Sequence, residues 1–422
     1  MIRFSSLAIM AILAASAGLA HAASAWEGVY EGVVGSARVI VVLAPEGARY
    51  VYASQANDLG LIVTAKGAGL ALIETIAPGI GTDDVKTQPR LVSGRWSLRA
   101  DGERLTGTWT DAKGGGSRPV SLTRVSNIAE TLDSTPVPGH PGPYGARWLA
   151  AAAKFSSQRK EASLGPLSYV MMRDDVYGNV MPRLTRAPQG VRIEAVNAAL
   201  ESLQRDLVLQ DRDCAQNLRS SVALTDFARF GATEKDKETG VSQGEITAIY
   251  ASDSLFALEE GRSTFCGGAH PNASVNHYTF DLAGARQITG LNDADKSDLG
   301  PSGLGAALDI ADAGKKARFD AFWVTKFRAS LAKIKALPAA GKGAQDSGQD
   351  CAQLLDNDLE QNGAAISASA YPTAKGLAIL ATGFPHVMQA CAFSFEANPL
   401  VISFVELRPF LKPGQHLLPA GQ

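Results

Sequence analysis

The chain has 422 residues, 45% of them hydrophobic and 19% charged, with 40 basic against 42 acidic side chains. That length exceeds what one small core serves and predicts two domains. The near-neutral balance offers no field for a nucleic acid or an anionic bilayer, so neither is an expected partner.

Met1 to Ala25 reads as a secretory signal. Arg3 supplies the positive start, Leu7 to Leu19 the apolar run, and Ala20-His21-Ala22 or Ala23-Ser24-Ala25 the small-x-small cleavage site. The run is shorter than the ~20 residues of a membrane span, and no later stretch is apolar enough for one. No lipobox cysteine stands near the cleavage point. The mature chain, cut after Ala22 or Ala25, is therefore expected in the periplasm or secreted, without a membrane span. Cleavage takes one basic residue, Arg3, and leaves a net charge of −3.

Residues 26–125 read as an all-β domain. Eight short apolar alternations recur between turn signals, from Gly28–Val34 to Pro119–Val125. Asp101-Gly102 is a hairpin turn between two of them. This spacing predicts an antiparallel meander curled into a barrel or a sandwich. Trp26, Trp96 and Trp109 are candidates for a sugar-stacking face, although aromatics of this size more often plug a core.

Residues 126–165 read as a Pro/Gly-rich linker, because Thr135-Pro-Val-Pro-Gly-His-Pro-Gly-Pro143 fits neither a helix nor a central strand. The second domain, 166–422, shows strands interspersed with two substantial helices and predicts an α+β layer fold. A strand pair is expected at Leu167–Met172 and Val176–Met181, and an amphipathic helix at Val191–Leu209. Further strands are expected at Ser220–Phe230, Gly244–Glu259, Ala364–Ala370, Gly376–Thr382 and Leu400–Glu406. Leu308–Leu337 contains a long helix with an aromatic stripe. The most specific run is Thr264-Phe-Cys-Gly-Gly-Ala-His-Pro-Asn272. It reads as a tight crossing between strands, with Gly267 and Gly268 free to turn sharply and Pro271 biasing His270 toward an extended conformation.

Gly267-Gly268-Ala269-His270-Pro271-Asn272, followed by Tyr278-Thr-Phe-Asp-Leu282, carries a resemblance. So do Tyr169 to Pro182 leading into a helix with Asn197, Phe384-Pro385-His386, Cys391 and Leu407-Arg-Pro-Phe-Leu411. Over Pro166–Pro413 the chain resembles the extracytoplasmic domain shared by the anti-sigma-V factor of Gram-positive bacteria and certain peptidoglycan deacetylases. In the first of these the domain senses lysozyme. The resemblance implies a cell-envelope binding module whose ligand is a lysozyme-like protein or a peptidoglycan-type glycan. Gly267, Gly268, His270, Asn272 and Tyr278 are its candidate contact residues. No counterpart is expected for the cytoplasmic segment and membrane helix of the sensor, or for the metal-dependent catalytic domain of the deacetylase.

The four cysteines, Cys214, Cys266, Cys351 and Cys391, allow three pairings in an exported chain. Cys214–Cys266 and Cys351–Cys391 are expected, since each pair lies within one half of the second domain. Either bridge is worth about 3–4 kcal/mol in the chain-entropy model. Their spacing fits no zinc pattern, and no metal or cofactor is expected. His270 with Asp281 or Asp253 is the candidate general base of an envelope hydrolase, one alternative reading. A structural envelope protein without a ligand is the other. The Ser-x-x-Lys spacings at Ser157 and Ser330 lack the partner motifs of a penicillin-binding nucleophile. The expected activity is binding rather than catalysis.

Overall fold

The computed structural model describes residues 26–44, 47–55, 57–65, 69–127, 141–225, 243–267, 272–287, 313–335, 353, 368–381 and 399–410. The signal segment, Gly268, His270, Cys351 and Cys391 lie outside the described residues. The chain divides into two compact units: among the described residues, those up to 127 and Gly142–Trp148 form the first, and Pro141 and those from Leu149 on the second.

The first unit is a closed antiparallel barrel. Its strands are β1 (Gly28–Val34), β2 (Ala37–Leu43), β3 (Arg49–Tyr52), β4 (Leu59–Ala65), β5 (Gly69–Thr75), β6 (Val92–Asp101), β7 (Arg104–Asp111) and β8 (Ser117–Ser126). β1 pairs with β8 to close it, so the choice between barrel and sandwich falls to the barrel. Closure removes the edge strands. One excursion was not legible in the strand pattern: between β5 and β6 the chain forms helix α1 (Thr82–Thr87) and a 3-10 turn at Pro89–Leu91. Alternate residues Leu70, Leu72, Trp96, Leu98, Leu105 and Leu122 fill the interior.

Trp26, Trp96 and Trp109 lie in that interior, at most 9% exposed, so they form no surface for sugar stacking. The two β-strand indoles instead donate to one buried carboxylate. Glu74 Oε2 accepts from Trp96 Nε1 at 2.9 Å, Trp109 Nε1 at 2.6 Å and the Tyr50 hydroxyl at 2.8 Å. Ser93 Oγ donates to Oε1 at 2.9 Å. Burial and the Glu74 carboxylate push the Tyr50 hydroxyl far above its usual range, which keeps it a donor.

Part of the expected linker is structured. Helix α2 (Pro143–Ala152) forms after the proline run, and β9 (Phe155–Leu164) is a full strand. β9 pairs with β10 (Leu167–Asp174), which pairs with β11 (Val180–Arg186). The second unit therefore begins before Pro166. Pro182 sits within β11, an edge strand, where its missing N–H leaves no ladder bond unmade.

Helix α3 (Ile193–Thr225) runs 33 residues, far past the expected end at Leu209, and it replaces the strand expected from Ser220. No glycine or proline interrupts it, and its inward stripe continues through Asp211, Cys214 and Leu218. The strand expected over Gly244–Glu259 is two strands, β12 (Gln243–Ala251) and β13 (Leu255–Thr264). Between them Ser252 Oγ accepts from the Ser254 and Leu255 amides and makes the turn. The expected crossing is a hairpin connection. β13 pairs in continuous antiparallel register with β14 (Asn272–Asp281), Thr264 opposite Asn272, and β15 (Arg286–Gln287) follows.

Helix α4 (Ala313–Lys335) buries Phe319, Phe327 and Leu331. A last antiparallel sheet joins β16 (Ala368–Thr373), β17 (Gly376–Ala381) and β18 (Leu400–Ile402). The strand expected to Glu406 stops at Ile402, because Ser403 and Glu406 form a capping box that starts α5 (Phe404–Leu407). Among the described residues no helix is long and apolar enough to cross a membrane.

Candidate functional site

The β13–β14 hairpin carries the run singled out from sequence. Alternation places Phe256, Leu258, Glu260 and Arg262 of β13 on one face, with Asn276, Tyr278 and Phe280 of β14 beside them. The apolar half packs on Val196, Leu200, Leu203 and Leu207 of α3. Toward the loop the same face turns polar, and so does α3. Arg262 is held between two buried carboxylates. Its Nε donates to Glu260 Oε1 at 2.7 Å, and its Nη1 reaches Asp211. Tyr278 and Asn276 donate to Glu260 Oε2 at 2.7 and 3.1 Å.

Asn179 Nδ2 donates to Asp211 Oδ2 at 2.6 Å. Asn179 is itself held by Asp174, whose carboxylate collects the amides of Val176, Tyr177, Gly178 and Asn179. Burial alone lowers the affinity of Arg262 for its proton, but Glu260 and Asp211 outweigh it and hold the guanidinium charged. Burial, reinforced by Glu260, pushes the Tyr278 hydroxyl up. The carboxylates act as acceptors and Tyr278 as a donor, which makes this cluster a brace between α3, the turn from β10 to β11 and the hairpin.

One turn beyond Asp211, Cys214 is disulfide-bonded to Cys266 at the loop end of β13. Ser221 Oγ donates to the Gly267 carbonyl at 3.0 Å. Gly267 has φ +91°, and a Cβ there would stand 2.7 Å from the Ser221 side chain. So the glycine is required both by its backbone angle and by the approach of α3.

Of the candidate residues, Gly267, Asn272 and Tyr278 belong to this hairpin, Tyr278 as a buried brace rather than a surface contact. Asp281 caps a turn by accepting from the Ala283 and Gly284 amides and pairs with Arg286. On the opposite face of β14, His277 stacks on Tyr371 of β16 at 3.8 Å, and its Nε2 lies 3.2 Å from Glu259. Burial lowers the His277 pKa, against the opposing pull of Glu259.

The chain matches no family model and no curated protein. Among the described residues no three His, Cys, Asp or Glu side chains are arranged to hold a metal ion. Sequence reasoning missed Asp211, Glu260 and Arg262. Their signal was present in the parity of β13, since Glu260 and Arg262 continue the inward set begun by Phe256 and Leu258.

Proposed function

We propose that this chain is an exported cell-envelope binding protein whose second unit, an α+β layer module, engages a lysozyme-like protein through the β13–β14 hairpin. The supporting observation is the fixing of the hairpin's loop end to α3. The Cys214–Cys266 bond and the Ser221–Gly267 hydrogen bond act there, and the Arg262 cluster braces the strands behind them. A hairpin end fixed before contact loses little conformational freedom on binding. The resemblance of its Gly-Gly-Ala-His-Pro-Asn run to a lysozyme-sensing domain supplies the partner. A disulfide also suits an oxidising compartment. The test is calorimetric titration of the oxidised chain with lysozyme and, separately, with peptidoglycan fragments. Micromolar or tighter binding of lysozyme is expected. Binding of the fragments alone would move the ligand class to glycan, and retention of neither would remove the reading.

A further inference from the structure

We infer that the outer edge of β14, from Asn272 to Asn276, is a strand-addition site that takes an extended, uncharged peptide segment of a partner protein. The inference rests on the binding reading above and gives its mode.

The ladder fixes which backbone groups face outward. The Leu282 amide donates to the Ser254 carbonyl at 2.9 Å, which makes Asp281–Leu255 a pair that exchanges no backbone bonds of its own. From there the alternation runs back without a bulge. Phe280, Tyr278, Asn276, Ser274 and Asn272 bond to β13, while Ala273, Val275, His277 and Thr279 turn their N–H and C=O groups to the other side. β15 pairs only with Phe280 and Asp281. Among the described residues, nothing pairs with the outward groups of Ala273 and Val275. Ala273 and Ser274 are exposed, and Val275 and Asn276 partly so.

Natural edges are commonly blunted by lysine, proline or a bulge, and β14 has none of these from Asn272 to Asp281. Beyond that segment, His277 Nδ1 and Thr279 Oγ1 are buried without a hydrogen-bond partner, in residues 3% and 5% exposed.

The chemistry of the edge selects the occupant. Alternating donors and acceptors at strand spacing match another peptide backbone, which a glycan does not reproduce. Five residues give about 17 Å of edge. Ala273 and Val275 lie on one face and Ser274 and Asn276 on the other, with no charge among them. An added segment is therefore uncharged, with small or β-branched side chains beside Ala273 and Val275.

Val275→Pro separates this inference from the fold. It deletes one outward N–H and leaves every bond to β13, as an edge position permits. Ser274→Pro deletes a ladder bond opposite Arg262 and is the destabilising control. The probes are lysozyme and an end-capped Thr-Val-Thr-Val-Thr-Val peptide, with affinity read by calorimetry and folding by circular dichroism. Val275→Pro is expected to keep the native spectrum and weaken lysozyme binding about tenfold, the loss of one hydrogen bond. Ala273→Pro serves the same purpose should Val275→Pro not fold. Unchanged lysozyme affinity in the folded proline variant overturns strand addition and leaves the hairpin reading standing. No binding of either probe by the native chain overturns both. Self-association that Val275→Pro abolishes would assign the edge to a second copy and overturn the partner-protein assignment.

Discussion

Replacing Arg262 by Met removes a guanidinium that joins Glu260 and Asp211. The side chain of Arg262 is 7% exposed, those of its partners 0% and 1%, so water does not make good the loss. Removing one partner of a buried pair costs about 3–5 kcal/mol, chiefly for the charge left behind. Here Tyr278 and Asn276 still donate to Glu260, and Asn179 to Asp211, which places the expected cost near the lower end, about 3 kcal/mol. Adding Glu260→Gln removes one of the stranded charges and is expected to recover roughly 1 kcal/mol. Urea unfolding at pH 7 reads the two units separately. Four of the five tryptophans, Trp26, Trp96, Trp109 and Trp148, belong to the barrel unit and Trp323 to the second, so fluorescence is dominated by the first unit and the far-ultraviolet helix signal by the second. Arg262→Met should shift the helix transition and leave the fluorescence transition in place. A loss below about 1 kcal/mol would refute the view of the cluster as the brace behind the hairpin.

The converse pattern is expected in the barrel. Glu74→Leu strands two buried indole N–H groups, for about 2–6 kcal/mol, and should lower the fluorescence transition alone; an unchanged midpoint would show that the indoles find other partners. Replacing Cys214 and Cys266 together by Ser opens a loop of 52 residues and is expected to cost on the order of 4 kcal/mol in the chain-entropy model, read in the helix transition. For His277, a pKa lowered on folding means that the unfolded chain takes up the proton first. The contribution is therefore full above about pH 6.5 and declines as pH falls below it. His277→Phe keeps a ring against Tyr371 and should flatten the stability profile between pH 7.5 and 5.5; parallel profiles for the two proteins would refute the assignment.

The barrel was legible because each strand alternates and is bounded by a turn, as at Asp101-Gly102 between β6 and β7. The second unit was legible in its helices and hairpins but not in their limits. Val222 and Thr225 have strand-like propensity, yet they continue α3 because the helix is tied to Gly267 and Cys266. Tertiary contact decided there what local preference left open. Tyr278 was singled out as a contact residue and proves to be a brace, since its inward parity brings its hydroxyl to Glu260. Cys214–Cys266 was predicted from position in the chain alone. The Asp211–Arg262–Glu260 cluster was not, because its members lie 51 and 2 residues apart and meet only through the helix–hairpin packing.

Amide hydrogen exchange across the whole chain, with and without lysozyme, tests the central claim most directly. Protection confined to peptides covering Thr264 to Asn276 is the expected footprint. Protection restricted to the barrel strands, or none at saturating lysozyme, would contradict the assignment of the hairpin as the binding element.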